Sequence, residues 1–307
     1  MKAIRIHHFN DVPALDTPSS PELGPDDVLL RVHAAALNPL DALVVSGVAQ
    51  RFFDIKLPVT LGTDFAGSIE RVGSAVTRWQ AGDQVIAWSD AGTGGGVAEF
   101  AVVPASGCVP LPPGLSAEEG AAIPTAGITA WHALFSVGGL KSGETVLIHA
   151  GAGGVGCFAV QFAHKAGARV IATASGDGVA LARSLGADQV IDYRSQSFDT
   201  LVSSVDLVLD LVGGDTQSRS YAVIRTGGRL VSTAMPPDEA IANSHGVSAS
   251  MFYAKPYAAQ LEALTRATVE QGVKIVIDST VPIEAFSSAW ARLGSGRARG
   301  KIVVSMP

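Results

Sequence analysis

One stretch of this 307-residue chain joins residue types whose combination does chemistry: His149-Ala150-Gly151-Ala152-Gly153-Gly154-Val155-Gly156. The glycines fall as Gly151-x-Gly153-x-x-Gly156, directly after the apolar run 145–149 and at the mouth of a helix predicted over 154–167. Residues without Cβ let the backbone approach a diphosphate, and the amides of the first helical turn face its charge. Gly151, Ala152, Gly153, Gly154, Val155 and Gly156 are therefore candidate dinucleotide-binding residues. A second glycine run, Gly92-Thr93-Gly94-Gly95-Gly96, precedes a strand instead of a helix and reads as a loop.

The end of the next strand bears on which dinucleotide is bound. An NAD site usually presents a carboxylate there to the ribose 2′-hydroxyl. Here the strand ends Thr173-Ala174-Ser175-Gly176, and Asp177 comes late. The Ser175 hydroxyl can donate to a 2′-phosphate, and Tyr193-Arg194 after the following strand offers a second donor and a cation. These residues favour NADPH over NADH, although Tyr193 and Arg194 also suit a solvated loop.

The surrounding pattern supplies elements to hold these groups. Strands are predicted at 145–149, 169–174, 189–192, 206–211 and 228–232, with helices at 154–167, 179–185 and 215–224 between them. Such alternation predicts a doubly wound parallel sheet. The first third reads differently. Short runs at 3–7, 27–35, 65–72, 84–88 and 98–103, broken by Pro, Gly and Asp, predict a small barrel or twisted sheet. Ser116-x-x-Glu119 has the form of a capping box opening a helix. A helix follows at 258–270, and the strand-like tail at 274–281 and 301–305 is expected to return to the N-terminal domain. The expected division is 1–121 plus 273–307 for one domain and 122–272 for the other.

Composition excludes several classes. With 22 Lys+Arg against 28 Asp+Glu the net charge is −6, which argues against nucleic-acid binding. Hydrophobic residues make up 47% and charged residues 16%, so the chain is no disordered polypeptide. Cys108 and Cys157 cannot supply a disulfide framework or a four-thiolate zinc site. The uncharged stretch 120–140 contains Pro124, His132 and four glycines, poor company for lipid, and is read as protein interior. Residues 1–10 lack the apolar core of a signal peptide, so a cytoplasmic protein is expected.

Taken in order, Asn38-Pro39-Leu40-Asp41, 61–67 (Leu-Gly-Thr-Asp-Phe-Ala-Gly), Gly82-Asp83-Gln84-Val85, 124–131, 150–156, Leu185-Gly186-Ala187-Asp188, Gly227-Gly228-Arg229 and Gly300-Lys301-Ile302-Val303 resemble the medium-chain dehydrogenase/reductase superfamily. Within it the chain is most similar to the zinc-free quinone oxidoreductase (ζ-crystallin-like) branch. The resemblance implies an α/β fold: a Rossmann domain inserted in a GroES-like β-barrel catalytic domain, binding NADPH, usually as a homodimer. It also implies that Asn38 and Asp41 border the nicotinamide site and that Thr125 or Thr129 approaches the ring. Ala152–Val155 would wrap the diphosphate and Ser175 and Tyr193 would meet the adenosine phosphate. Leu211, Val212, Ser232, Thr233 and Ala234 would touch the nicotinamide half. Asn38 equally suits a turn before Pro39, and Thr129 suits helix capping or packing.

Zinc-dependent relatives need Cys where Asn38 stands and Gly-His-Glu where Gly62-Thr63-Asp64 stands, so no zinc is expected. Without a metal, reducing a simple ketone leaves an alkoxide with little to stabilise it. A quinone, or an alkene conjugated to a carbonyl, spreads the charge over an anion that ordinary hydrogen-bond donors can stabilise. Asn38, Asp41, Thr63, Thr125 and Thr129 are the candidate catalytic residues, and a small quinone or enone is the expected substrate. Two departures stand out. Leu43 replaces a tyrosine frequent in relatives, and Gly176-Asp177-Gly178 lacks a lysine that relatives use on the 2′-phosphate. A dinucleotide-binding protein with a structural or regulatory role, and a zinc-free alcohol or enoyl-thioester reductase, are the alternatives.

Overall fold

A computed structural model describes residues 1–255 and 257–307. The chain divides into two compact units, each with its own apolar core. The first comprises Met1–Thr125, Lys255–Gln271 and Ile277–Pro307, and the second Ala126–Ala254 and Gly272–Val276.

The first unit is organised on the long strand Asp27–Leu37. One edge pairs with Asp64–Val72, while the other is shared by Phe100–Pro104 and the tail strand Lys301–Ser305, all antiparallel. Val28, Leu30 and Val32 alternate into a core with Leu61, Phe65, Ile69 and Val85, as the twofold side-chain period of a strand requires. The tail returns as expected: Ile302 lies opposite Leu37 and Val304 opposite Ala35. Ser116 and Glu119 form the predicted capping box, each side chain receiving the other's backbone N–H.

The second unit holds a six-stranded parallel sheet. Its spatial order is Gln189–Asp192, Arg169–Ala174, Thr145–Ile148, Val205–Asp210, Ile224–Ser232, Ser248–Met251. The first strand in the chain is thus third in space and the order reverses beside it, the doubly wound arrangement. Val146, Leu147, Ile148, Val208 and Leu209 are fully buried, because helices cover both faces of such a sheet. The edge strand Ser248–Met251 escapes the sequence reading because it is short, three of its four residues are small, and all four are exposed or half-exposed.

Three segments depart from the expected division. Residues 122–125 stay with the first unit. Helix Ala258–Glu270 belongs to the first unit and packs beside the strand Cys108–Pro110. Residues 273–276 stay with the second, where the Gln161 amide bonds both the N–H and the carbonyl of Lys274, at 2.8 and 2.9 Å. Among the described residues no helix is long and apolar enough to cross a membrane.

Candidate functional site

Strand Thr145–Ile148 runs into His149 and the glycine turn, and helix Gly154–Lys165 follows at once. The three motif glycines have different reasons to be glycine. A Cβ on Gly151 would meet the Ala172 Cβ at 2.7 Å, and one on Gly156 would strike the Ala150 carbonyl. Both therefore serve packing inside the protein. A Cβ on Gly153 would meet only the Ala150 oxygen, at 3.3 Å. Gly153 faces outward, and the amides of the first helical turn behind it have no partner within the helix. A diphosphate fits such a cradle.

Around this turn the predicted residues gather in two places. Ser175, at the end of strand Arg169–Ala174, donates to the Tyr193 hydroxyl at 2.9 Å. Tyr193 is 56% exposed, and the neighbouring Arg194 is exposed as well. At the ends of the next strands the loops fold around Asp210, a wholly buried carboxylate that the sequence reading missed. It accepts from the backbone N–H groups of Val212 and Gly213 and from the side chains of Gln217 and Ser232, at 2.8–3.0 Å. The Ser232 oxygen in turn accepts from the Ala234 N–H, and the Thr233 N–H bonds the Asp210 carbonyl. Leu211 and Thr233 are half-buried, while Val212 and Ala234 are exposed.

Within the first unit, Asn38, Asp41, Thr63 and Thr125 converge on Asp64, which is 0% exposed. The Thr125 hydroxyl and amide donate to the two Asp64 oxygens at 2.6 and 3.1 Å. The Asn38 amide group and the Thr63 hydroxyl donate at 3.1 and 3.2 Å. Lys301, itself buried, stands 3.6 Å from Asp64 and donates to the Leu37 carbonyl and the Asn38 side-chain oxygen. The Asn38 amide is thus occupied on both sides. Asn38 also precedes helix Pro39–Val45, and its N–H bonds the Asp41 carboxylate at 2.8 Å. Asp41 uses its other oxygen on the Gly62 N–H at 2.9 Å. Burial pushes the Asp41 pKa up to about 6 against these amide bonds, and burial pushes the Lys301 ammonium below its ordinary value, opposed by the nearby carboxylates.

Thr129 stands one turn beyond Thr125 on the same face of helix Pro124–Trp131, buried and assigned to the second unit. Lys301 entered the sequence reading only as part of a glycine-lysine motif. A charge heading the apolar run Ile302-Val303-Val304 was the signal that it sits inside. Cys108 and Cys157 are buried, their thiols pushed up to about 12 by desolvation. Among the described residues no group of three or more His, Cys, Asp or Glu is placed to hold a metal ion.

Residues 24–113 match the family model described as an alcohol dehydrogenase GroES-like domain, and 185–304 match one described as a zinc-binding dehydrogenase. The donors around Asp64 are an amide, hydroxyls and an ammonium, with neither thiolate nor imidazole in the set, and carboxylates alone do not make the thiolate- or imidazole-based set that holds a zinc ion. The chain is 35% identical over 296 residues to the chloroplast envelope quinone oxidoreductase homolog of Arabidopsis thaliana, covering 91% of this chain and 89% of that protein. The structure of a quinone oxidoreductase from Coxiella burnetii superposes with a TM-score of 0.92 at 32% identity, covering 100% of this chain and 99% of that one. A mycobacterial protein complexed with NADPH superposes with a TM-score of 0.89 at 28% identity, covering 99% of each chain. With the doubly wound sheet, the GroES-like domain and these relatives together, the chain belongs to the quinone oxidoreductase branch of the medium-chain dehydrogenase/reductase superfamily and is an NAD(P)H-dependent oxidoreductase.

Proposed function

We propose that this enzyme is an NADPH-dependent, metal-independent reductase of quinones or of alkenes conjugated to a carbonyl. The observation that carries the reading is the donor set around Asp64. Where zinc-dependent relatives gather thiolate and imidazole, this chain gathers Asn38, Thr63, Thr125 and the Lys301 ammonium. Asn38, Thr63 and Lys301 spend their hydrogens on holding Asp64 and one another in place, which leaves the Thr125 hydroxyl as the donor for an incoming anion. One neutral donor suits a delocalised enolate or hydroquinone anion better than a localised alkoxide.

When bound, the reduced dinucleotide supplies the hydride. The amides of Ala152, Gly154 and Val155 hold its diphosphate, Gly153 shapes the wrap with its own N–H on the Ala150 carbonyl, and Gly151 and Gly156 let strand and helix close up behind them. Ser175 and Tyr193, already hydrogen-bonded to one another, meet the 2′-phosphate with Arg194 beside them. Leu211, Val212, Thr233 and Ala234 flank the nicotinamide half, and Ser232 and Asp210 set the path of those loops. In the first unit Asn38, Asp41 and Thr63 position the buried carboxylate. Thr125, the half-buried member of the network, turns its hydroxyl from Asp64 to the substrate oxygen when the acceptor binds, its backbone N–H remaining on the carboxylate, and water protonates the resulting anion.

The test is steady-state oxidation of NADPH with 1,4-benzoquinone, 9,10-phenanthrenequinone and an α,β-unsaturated ketone, each with and without a strong chelator. Turnover that survives chelation is expected. A stoichiometric metal whose removal stops turnover, or activity confined to simple aldehydes, would overturn the proposal. Tight NADPH binding with background turnover on every acceptor would favour a binding protein instead.

A further inference from the structure

His149 is buried between the strand end and the glycine turn, and the reaction makes no use of it. Its hydrogen bonds assign the protons. Ser220 Oγ donates to the Thr216 carbonyl at 2.6 Å, so toward His149 it can only accept. The His149 Nε2, 2.9 Å away, therefore carries the hydrogen. A neutral ring then leaves Nδ1 as an acceptor, and the Thr173 hydroxyl 3.2 Å away donates to it. That frees a Thr173 lone pair for the Ala150 N–H, also at 3.2 Å. The order is complete, from Ala150 through Thr173 and His149 to Ser220. Burial keeps the ring neutral by lowering its pKa to about 4, and the Phe198 ring closes it in edge-on with centroids 4.7 Å apart.

Ala150 is where this chain ends, and it needs holding. Its φ of +52° is a left-handed conformation that costs a residue with a Cβ free energy. Its carbonyl accepts the Gly153 N–H at 2.9 Å, so its conformation sets the outward-facing part of the turn. At the other end, helix Gly214–Ser220 carries Gln217, bonded to Asp210, one turn before Ser220. The glycine turn and the Asp210 loops are thereby tied to one short helix.

We propose that His149 is a positioning residue for the dinucleotide: through Thr173 it holds Ala150 in the conformation that shapes the diphosphate cradle, and through Ser220 it anchors that cradle to the helix beneath the Asp210 loops. This rests on the dinucleotide reading of the glycine turn. His149→Phe removes both bonds. His149→Asn retains an acceptor near Nδ1, and His149→Gln retains only a group near Nε2. Binding of NADPH is measured by fluorescence titration and kcat at saturating NADPH, with thermal unfolding alongside. The expected result is a Kd raised about tenfold in His149→Phe and in His149→Gln, the scale of one lost buried hydrogen bond, with kcat within about twofold. His149→Asn is expected to recover most of the affinity. Should His149→Phe not fold, Thr173→Val carries the test, with Thr173→Ser expected to restore binding. Wild-type affinity in His149→Phe or Thr173→Val overturns the inference alone, as does an equal loss in the Asn and Gln variants accompanied by an equal fall in kcat. Failure of the wild-type enzyme to bind either NADPH or NADH overturns the underlying reading, and this inference with it.

Discussion

The Lys301 ammonium and the Asp64 carboxylate face each other at 3.6 Å with 4% and 0% of their side chains exposed. An ion pair so placed adds little net stability, because desolvating two charges costs about what their attraction returns. Removing one partner is another matter. Lys301→Met is expected to destabilise the first unit by about 3–5 kcal/mol, since it leaves Asp64 buried without a counter-charge. The double variant Lys301→Met/Asp64→Asn should recover most of that loss in urea unfolding. A single variant as stable as wild type would show that Asp64 needs no counter-charge.

The motif glycines separate fold from binding. Gly153→Val brings its Cβ against one atom, the Ala150 oxygen at 3.3 Å, a contact that a few tenths of an ångström of movement relieves, so it should keep the wild-type melting temperature within about 2 °C, a stability change of under 1 kcal/mol, and lose NADPH binding by at least about a hundredfold. Gly156→Val is expected to fail earlier, in folding, because its Cβ collides with backbone. Tight NADPH binding by Gly153→Val in calorimetry would remove the cradle.

Ser175→Asp puts a carboxylate beside the Tyr193 hydroxyl, where a 2′-phosphate is expected. The ratio of kcat/KM for NADPH over NADH should fall at least about tenfold through like-charge repulsion. An unchanged ratio would move the phosphate contact elsewhere.

Acid acts on the two units with opposite sign. His149 has its folded pKa lowered from 6.5 to about 4, so the stability it brings is full above 6.5 and is lost as pH falls through 4. Asp41 has its folded pKa raised from 3.8 to about 6, so its contribution is full below 3.8 and is lost as pH rises through 6. Between pH 4 and 6 the two slopes oppose each other. Asp41→Asn should make stability rise more steeply with pH in that window by about one proton's linkage, and His149→Phe should make it rise less steeply. Denaturant midpoints across the window read both slopes, and parallel profiles would contradict the assignment.

The sequence by itself determined the parallel sheet, the glycine turn and the cap at Ser116, because each is written in contiguous residues. A strand repeats every two residues and a helix every 3.6, and the turn needs its glycines at fixed local offsets. The same locality explains the misses. Strand Ser248–Met251 carries no apolar pattern, and helix Ala258–Glu270 shows an apolar face without naming the unit it covers.

Only the tertiary structure decided what surrounds Asp64 and Asp210. Asn38 and Lys301 stand 263 positions apart and meet because Ile302 pairs with Leu37 in antiparallel register, which sets the Lys301 ammonium against the Leu37 carbonyl and the Asn38 amide. That register also changes what Asn38 does. From sequence it was a donor to substrate or a turn residue, whereas in the fold both ends of its amide are engaged and it holds a helix entry and a carboxylate in place. A side chain's hydrogen-bonding capacity can be read from its identity, but which partners exhaust that capacity depends on contacts between distant segments, and these exist only once the strands have paired.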